Sequence, residues 1–185
     1  METLLVNKRK FTYDDYLKIP DDRQYELVEG ELIMTPSPVP YHQWILKNIA
    51  NKLDNFVQEN KLGRIFIAPC DVQLDNENVL QPDIMHIAEK RLKIIGEKNI
   101  TDAPDLIVEV LSESSAYRDL VRKKKLYAQF GVREYWIVDP GEKSIEIYSL
   151  RSKKFFLFHS YSTVDILKSP LLSGFKLELK AVFDY

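Results

Sequence analysis

The sequence predicts an α/β fold, a mixed β-sheet flanked by helices, with additional β-hairpins. Three observations predict it. Tyr41–Asn60 and Ser114–Phe130 carry apolar residues at helical spacing. Leu106-Ile-Val-Glu-Val-Leu111 is apolar on both faces except at Glu109, as expected for a strand at the centre of a sheet. The order Leu106 strand, helix, Glu134 strand is a βαβ-like crossover, which favours two parallel neighbours.

The elements follow in chain order. Phe11–Leu17 reads as a short helix with Thr12 as N-cap and Asp14 and Asp15 in its first turn. Gln24–Met34 reads as a hairpin turning at Glu29-Gly30. Thr35–Pro40 is a proline-punctuated loop. In the Tyr41 helix, Ile45, Ile49, Leu53 and Phe56 share a face. Arg64–Leu74 alternates as a strand, and Val79–Ile87 returns as another, irregular or at an edge where Pro82 stands. Glu89–Ile95 reads as a short helix and Gly96–Pro104 as a loop. Glu134–Asp139 is a strand, Ser144–Leu150 with Phe155–His159 a hairpin, and Phe175–Leu179 a last strand.

A chain of 185 residues without a linker or repeat predicts one domain spanning 1–185. Hydrophobic residues make up 45%, enough for a sizeable core, and 29% are charged, which argues against a membrane protein and against long disorder. The start, Met1-Glu-Thr-Leu-Leu-Val-Asn-Lys, lacks the order of a signal peptide. One cysteine, Cys70, excludes an intrachain disulfide and a cysteine zinc cluster, and reads as a small core residue. These points lead us to expect a cytoplasmic protein. A net charge of −2 does not suggest a nucleic-acid coat, yet leaves an enzyme on nucleic acid open, because local field matters more than the total.

The most informative residue is a lysine inside an apolar stripe. Ala116, Leu120, Leu126, Tyr127 and Phe130 fall on one arc of the Ser114 helix, and Lys123 sits near its middle. Such a lysine must snorkel out or meet an anion. Asp119, one turn earlier, offers a structural salt bridge. Two carboxylates upstream stand in apolar surroundings, Asp83 in Leu80-Gln-Pro-Asp-Ile84 and Glu109 in the Leu106 strand. An acid in a buried strand is costly without a partner. Two inward acids and one inward lysine are the parts of a metal-dependent phosphodiester-cleaving site. Magnesium or manganese takes oxygen ligands and keeps several waters, so two carboxylates often suffice, and Asp83 and Glu109 would hold it. Lys123 would address the nucleophile or the scissile phosphate.

Gln81-Pro82-Asp83 followed by Val108-Glu109-Val110 resembles the PD-(D/E)XK nuclease signature, with Leu111 where the usual lysine stands. Lys123 fits a variant whose lysine comes from the next helix. Nearly the whole chain is similar to one branch, the Uma-two family of restriction-type endonucleases. The matching pieces include Tyr25-Glu-Leu-Val-Glu-Gly-Glu-Leu, Pro36-Ser-Pro with His42-Gln43, Ala103 to Ser112, Asp119 to Tyr127, and Gly131 to Pro140. The family's Leu-Ser-Pro-Ser reads Leu111-Ser-Glu-Ser114 here. The resemblance implies a restriction-endonuclease-like fold, DNA as substrate, and Glu26 as a third acid near the metal. His42 and Lys124 are candidates for substrate contact; Lys124 and Lys125 otherwise form a solvated face. His86 and His159 read as structural, Glu29 and Glu31 as turn and surface residues, Trp136 as core, and Tyr127, on the Lys123 face, as core packing with a site contact as the alternative. A duplex cutter commonly presents two sites, so a homodimer is expected. Two readings compete with the nuclease: a non-catalytic nucleic-acid-binding module on the same fold, and a hydrolase acting on another substrate.

Overall fold

The computed structural model describes residues 9–20, 24–35, 37–112 and 117–185. In chain order the elements are α1 (Tyr13–Tyr16), β1 (Tyr25–Val28), β2 (Glu31–Met34), α2 (Pro40–Glu59), β3 (Gly63–Ile67), β4 (Val72–Gln73), β5 (Val79–Leu80), β6 (Ile84–Ala88) and a 3₁₀ segment Glu89–Ile94. They continue with β7 (Leu106–Val110), α3 (Tyr117–Phe130), β8 (Glu134–Asp139), β9 (Ser144–Arg151), β10 (Lys154–Tyr161), β11 (Ile166–Lys168), β12 (Lys176–Glu178) and α4 (Leu179–Phe183). Ser114 to Ala116, expected at the start of α3, lie outside the described residues.

The Leu106 strand takes the interior place that its doubly apolar pattern requires. The large sheet has the order β10-β9-β8-β7-β6-β3. Only β7 and β8 run parallel, as the crossover through α3 demands; the other neighbours are antiparallel. Alternation along β7 then assigns its two faces. Leu106, Val108 and Val110 pack with Ile45, Ile49, Leu53 and Val57 of α2. Ile107 packs on the opposite side with Leu126 and Tyr127 of α3. Glu109 shares the parity of Ile107 and so faces α3. A second sheet, ordered β2-β1-β5-β4, and a two-stranded β11-β12 sheet complete the fold.

Two expected strands are each divided. Arg64–Leu74 becomes β3 in the large sheet and β4 in the small one, and Val79–Ile87 becomes β5 in the small sheet and β6 in the large. Pro69 and Pro82 stand in the two breaks, where a residue without an N–H cannot continue a ladder. The paired ribbon therefore leaves one sheet and enters the other. Cys70 lies in the first break, half-buried against the α3-side core rather than within a strand. At the C-terminal end, the expected strand shortens to β12, and Leu179, Val182 and Phe183 form α4 on the α2-side core. Neither α4 nor β11 was expected, because each is too short to show periodicity. Among the described residues no helix is long and apolar enough to cross a membrane.

Gly63 opens β3 at φ +132, and a Cβ there would lie 2.0 Å from the Ile87 carbonyl oxygen. Gly131, after α3, has φ +91 but open space around the missing Cβ. Gly63→Ala should therefore lose about 1–3 kcal/mol of stability in urea denaturation, and more than Gly131→Ala, which carries the backbone cost alone.

Candidate active site

β7 extends past its neighbour. The last ladder pair between β6 and β7 joins Ile84 to Val108. The Val110 N–H, two residues on, donates instead to Asp83 Oδ2 at 2.8 Å. The proline break before β6 thus frees Asp83 to satisfy, with its side chain, an amide that the ladder leaves over. His42, in the first turn of α2, closes the same corner. Its Nε2 lies 3.1 Å from the Val110 carbonyl oxygen and 3.4 Å from Asp83 Oδ2. Burial pulls the imidazole pKa down, but the hydrogen bond and charge of Asp83 outweigh it and the net shift is upward.

Glu109 is buried one residue earlier, on the α3 side. Its Oε1 accepts a 2.7 Å hydrogen bond from the Tyr127 hydroxyl and lies 3.4 Å from Lys123 Nζ. Lys123 Nζ also donates to Glu26 Oε1 at 2.8 Å. Lys123 and Tyr127 stand one turn apart and so share a helix face. Desolvation pushes the Glu109 carboxyl up to about 7, the Lys123 charge opposes this, and the Asp83 and Glu26 charges add to it. Desolvation likewise works against the Lys123 ammonium, but Glu109 and Glu26 outweigh it and hold the group charged.

Glu26 comes from β1, opposite Ile33 of β2. Its Oε1 accepts the Gln81 N–H at 2.8 Å, which ties the hairpin to the Gln81-Pro82-Asp83 segment. The Gln81 side chain donates to Asp71 Oδ1 at 2.8 Å, and the Tyr16 hydroxyl of α1 donates to the same oxygen at 3.0 Å.

Glu26, Asp83, Glu109, Lys123 and His42 are thus brought to one corner of the fold. Lys124 is not. Its Nζ lies over the Tyr148 ring of β9, 3.1 Å from the centroid, and burial lowers its pKa. Sequence reasoning missed Arg122. Arg122 grips the hairpin, donating to Glu29 Oε2 at 2.6 Å, Glu31 Oε2 at 2.8 Å and the Val28 carbonyl at 2.9 Å. This clamp fixes α3 against β1 and brings the adjacent Lys123 to Glu26. The acids flanking Gly30 read from sequence as turn and surface residues, and only tertiary contact names their partner. Tyr127 reads from sequence as core packing with a site contact as the alternative; it is buried, and its hydroxyl also reaches Glu109.

Among the described residues, no group of three or more His, Cys, Asp or Glu side chains forms a ready-made metal cage. The donor chemistry nonetheless fits a hard divalent cation. Asp83 is held through Oδ2 and Glu109 through Oε1, leaving Oδ1 and Oε2 without a protein partner among the described residues. Carboxylate oxygens are what magnesium and manganese take.

The Uma2 (Uma-two) family model, described as "putative restriction endonuclease", matches residues 13–180. The chain belongs to the Uma2 family. Every member of the Glu26, Asp83, Glu109 and Lys123 cluster lies within the matched span. The fold is similar to the crystal structure of a putative nuclease belonging to DUF820 from Anabaena variabilis, with a TM-score of 0.78 and 22% identity over 94% of this chain and 98% of that one. No curated protein matches the Uma2-family chain in sequence.

The folded Glu109 carboxyl, near 7, lies above its ordinary value of 4.5. Between those values the native state holds a proton that the unfolded chain has lost. The contribution of this group to stability is therefore full below about 4.5 and falls as pH rises through about 7. Carbon-13 NMR of the side-chain carboxyl should show that midpoint in the wild type. In Lys123→Met it should move upward, because the leading opposing charge is gone.

Proposed function

We propose that this Uma2-family protein is a metal-dependent DNA endonuclease that hydrolyses phosphodiester bonds. The observation that carries the reading is Lys123, delivered by α3 to 2.8 Å from Glu26 and 3.4 Å from Glu109, with Leu111 at the place of the signature lysine. Asp83 and Glu109 would hold a magnesium or manganese ion. Once bound, the ion supplies Lewis-acid charge at the phosphate and a more acidic water. The chain's own groups do the rest. Lys123, with three N–H donors and no acceptor, orients the attacking water or a non-bridging phosphate oxygen. Glu26 keeps that ammonium charged and aimed, and is itself fixed by the Gln81 N–H. His42 holds Asp83 and the Val110 carbonyl in register at the end of β7. Lys124 is a weaker candidate for backbone contact. A double-strand cut needs two such sites, for which we propose a homodimer.

A second reading has one observation in its favour: Lys123 pairs with two acids, Glu26 and Glu109, as a structural ion-pair cluster would. A non-catalytic nucleic-acid-binding module could keep such a cluster for stability alone.

Incubation with supercoiled and single-stranded DNA separates the two. With magnesium or manganese the wild type should nick or cut; EDTA should abolish this, and added metal should not restore it to Glu109→Ala. Lys123→Ala should lose about 100-fold or more in cleavage rate while DNA affinity in a filter-binding assay changes little. Binding without cleavage of single-stranded, duplex or branched DNA would favour the module.

A further inference from the structure

We infer that Tyr127 is a positioning residue for the metal site, its hydroxyl setting which oxygen of Glu109 is offered to the cation. The inference rests on the metal-dependent reading above and goes beyond it to a residue outside the acid-acid-lysine set. Packing alone does not account for a tyrosine here. Tyr127 is fully buried in the α3-side core, and its ring packs against Tyr135 at a centroid distance of 5.4 Å. A phenylalanine would fill the same space. The hydroxyl instead donates to Glu109 Oε1 at 2.7 Å. Hydrogen bonds to an ionised acceptor are about twice as strong as neutral ones.

Lys123 and Tyr127 converge on that same oxygen, which leaves Oε2 as the free one. They differ in charge. The ammonium repels a cation at Glu109 and is shared with Glu26. The phenol is neutral, so it grips the carboxylate without opposing the ion. It can also keep that grip when Lys123 turns to substrate. Tyr135 supplies an internal comparison: it is equally buried, but its hydroxyl has no protein hydrogen-bond partner among the described residues.

The test is isothermal titration of the full chain with manganese, without DNA. Tyr127→Phe should bind about tenfold more weakly or worse, the usual scale for losing a group that orients a ligand. Tyr135→Phe should bind like the wild type. Thermal midpoints measured without metal report packing separately. If Tyr127→Phe binds manganese like the wild type, the hydroxyl is structural and the inference fails, while the metal reading stands. If the wild type itself binds no manganese, both fail. Should Tyr127→Phe not fold, the wild type decides by NMR. Magnesium should shift the Glu109 carboxyl carbon and the Tyr127 hydroxyl proton at one midpoint, and a carboxyl shift with Tyr127 unmoved would overturn the inference.

Discussion

The structure turns on the desolvation of Glu109. A carboxylate in one of the two central strands of a six-stranded sheet cannot be left without partners, and alternation along β7 points it at α3 rather than α2. That face of α3 must therefore carry polar groups inside an apolar stripe. Lys123 and Tyr127, one turn apart, supply them. The remaining stripe, including Leu126, packs conventionally. The helix is thus both a core element and the wall of the site, and its register cannot slip without leaving Glu109 bare.

Register is protected from outside the stripe. Arg122 joins α3 to the β1–β2 hairpin through two carboxylates and a backbone carbonyl. Its partners Glu29 and Glu31 are substantially exposed, so the Coulomb gain is modest. What the contact provides is geometry: a planar fork that meets three acceptors at once permits few helix positions. Glu26 then sits where Lys123 arrives. The two proline breaks act in the same direction from the other side of the site. By moving the ribbon from one sheet to the other, they place Asp83 beside an amide that no strand pairs, and the Glu26–Gln81 bond closes the ring of contacts.

Much of this was legible in the sequence because it rests on periodicity. A lysine mid-stripe and an acid in a doubly apolar strand are local patterns with a physical cost, and the cost predicts partners. The family resemblance fixed the order of the pieces. What stayed hidden depends on chain-distant contact. Arg122 went unnoticed because its acceptors lie more than ninety positions away. The division of Arg64–Leu74 was hidden because alternation continues through Pro69, so the pattern alone does not report a change of sheet. Leu179 closed the expected Phe175–Leu179 strand, but the α2-side core claims Leu179, Val182 and Phe183 as a short helix.

Charge balance ties the site to its chemistry. Three carboxylates, Glu26, Asp83 and Glu109, surround one ammonium. His42 leans toward the acids, whose charges raise its pKa against the opposing effect of burial. One cation cannot fully compensate three anions in a region shielded from water, and the deficit is visible where desolvation is most severe. Burial pushes the Glu109 carboxyl up to about 7. A purely structural cluster could relieve this by replacing Glu109 with an uncharged residue at little loss of packing. Keeping an ionisable group that the fold disfavours makes sense where a further positive charge is to be admitted, which is why these electrostatics support the metal-dependent reading over the inert one.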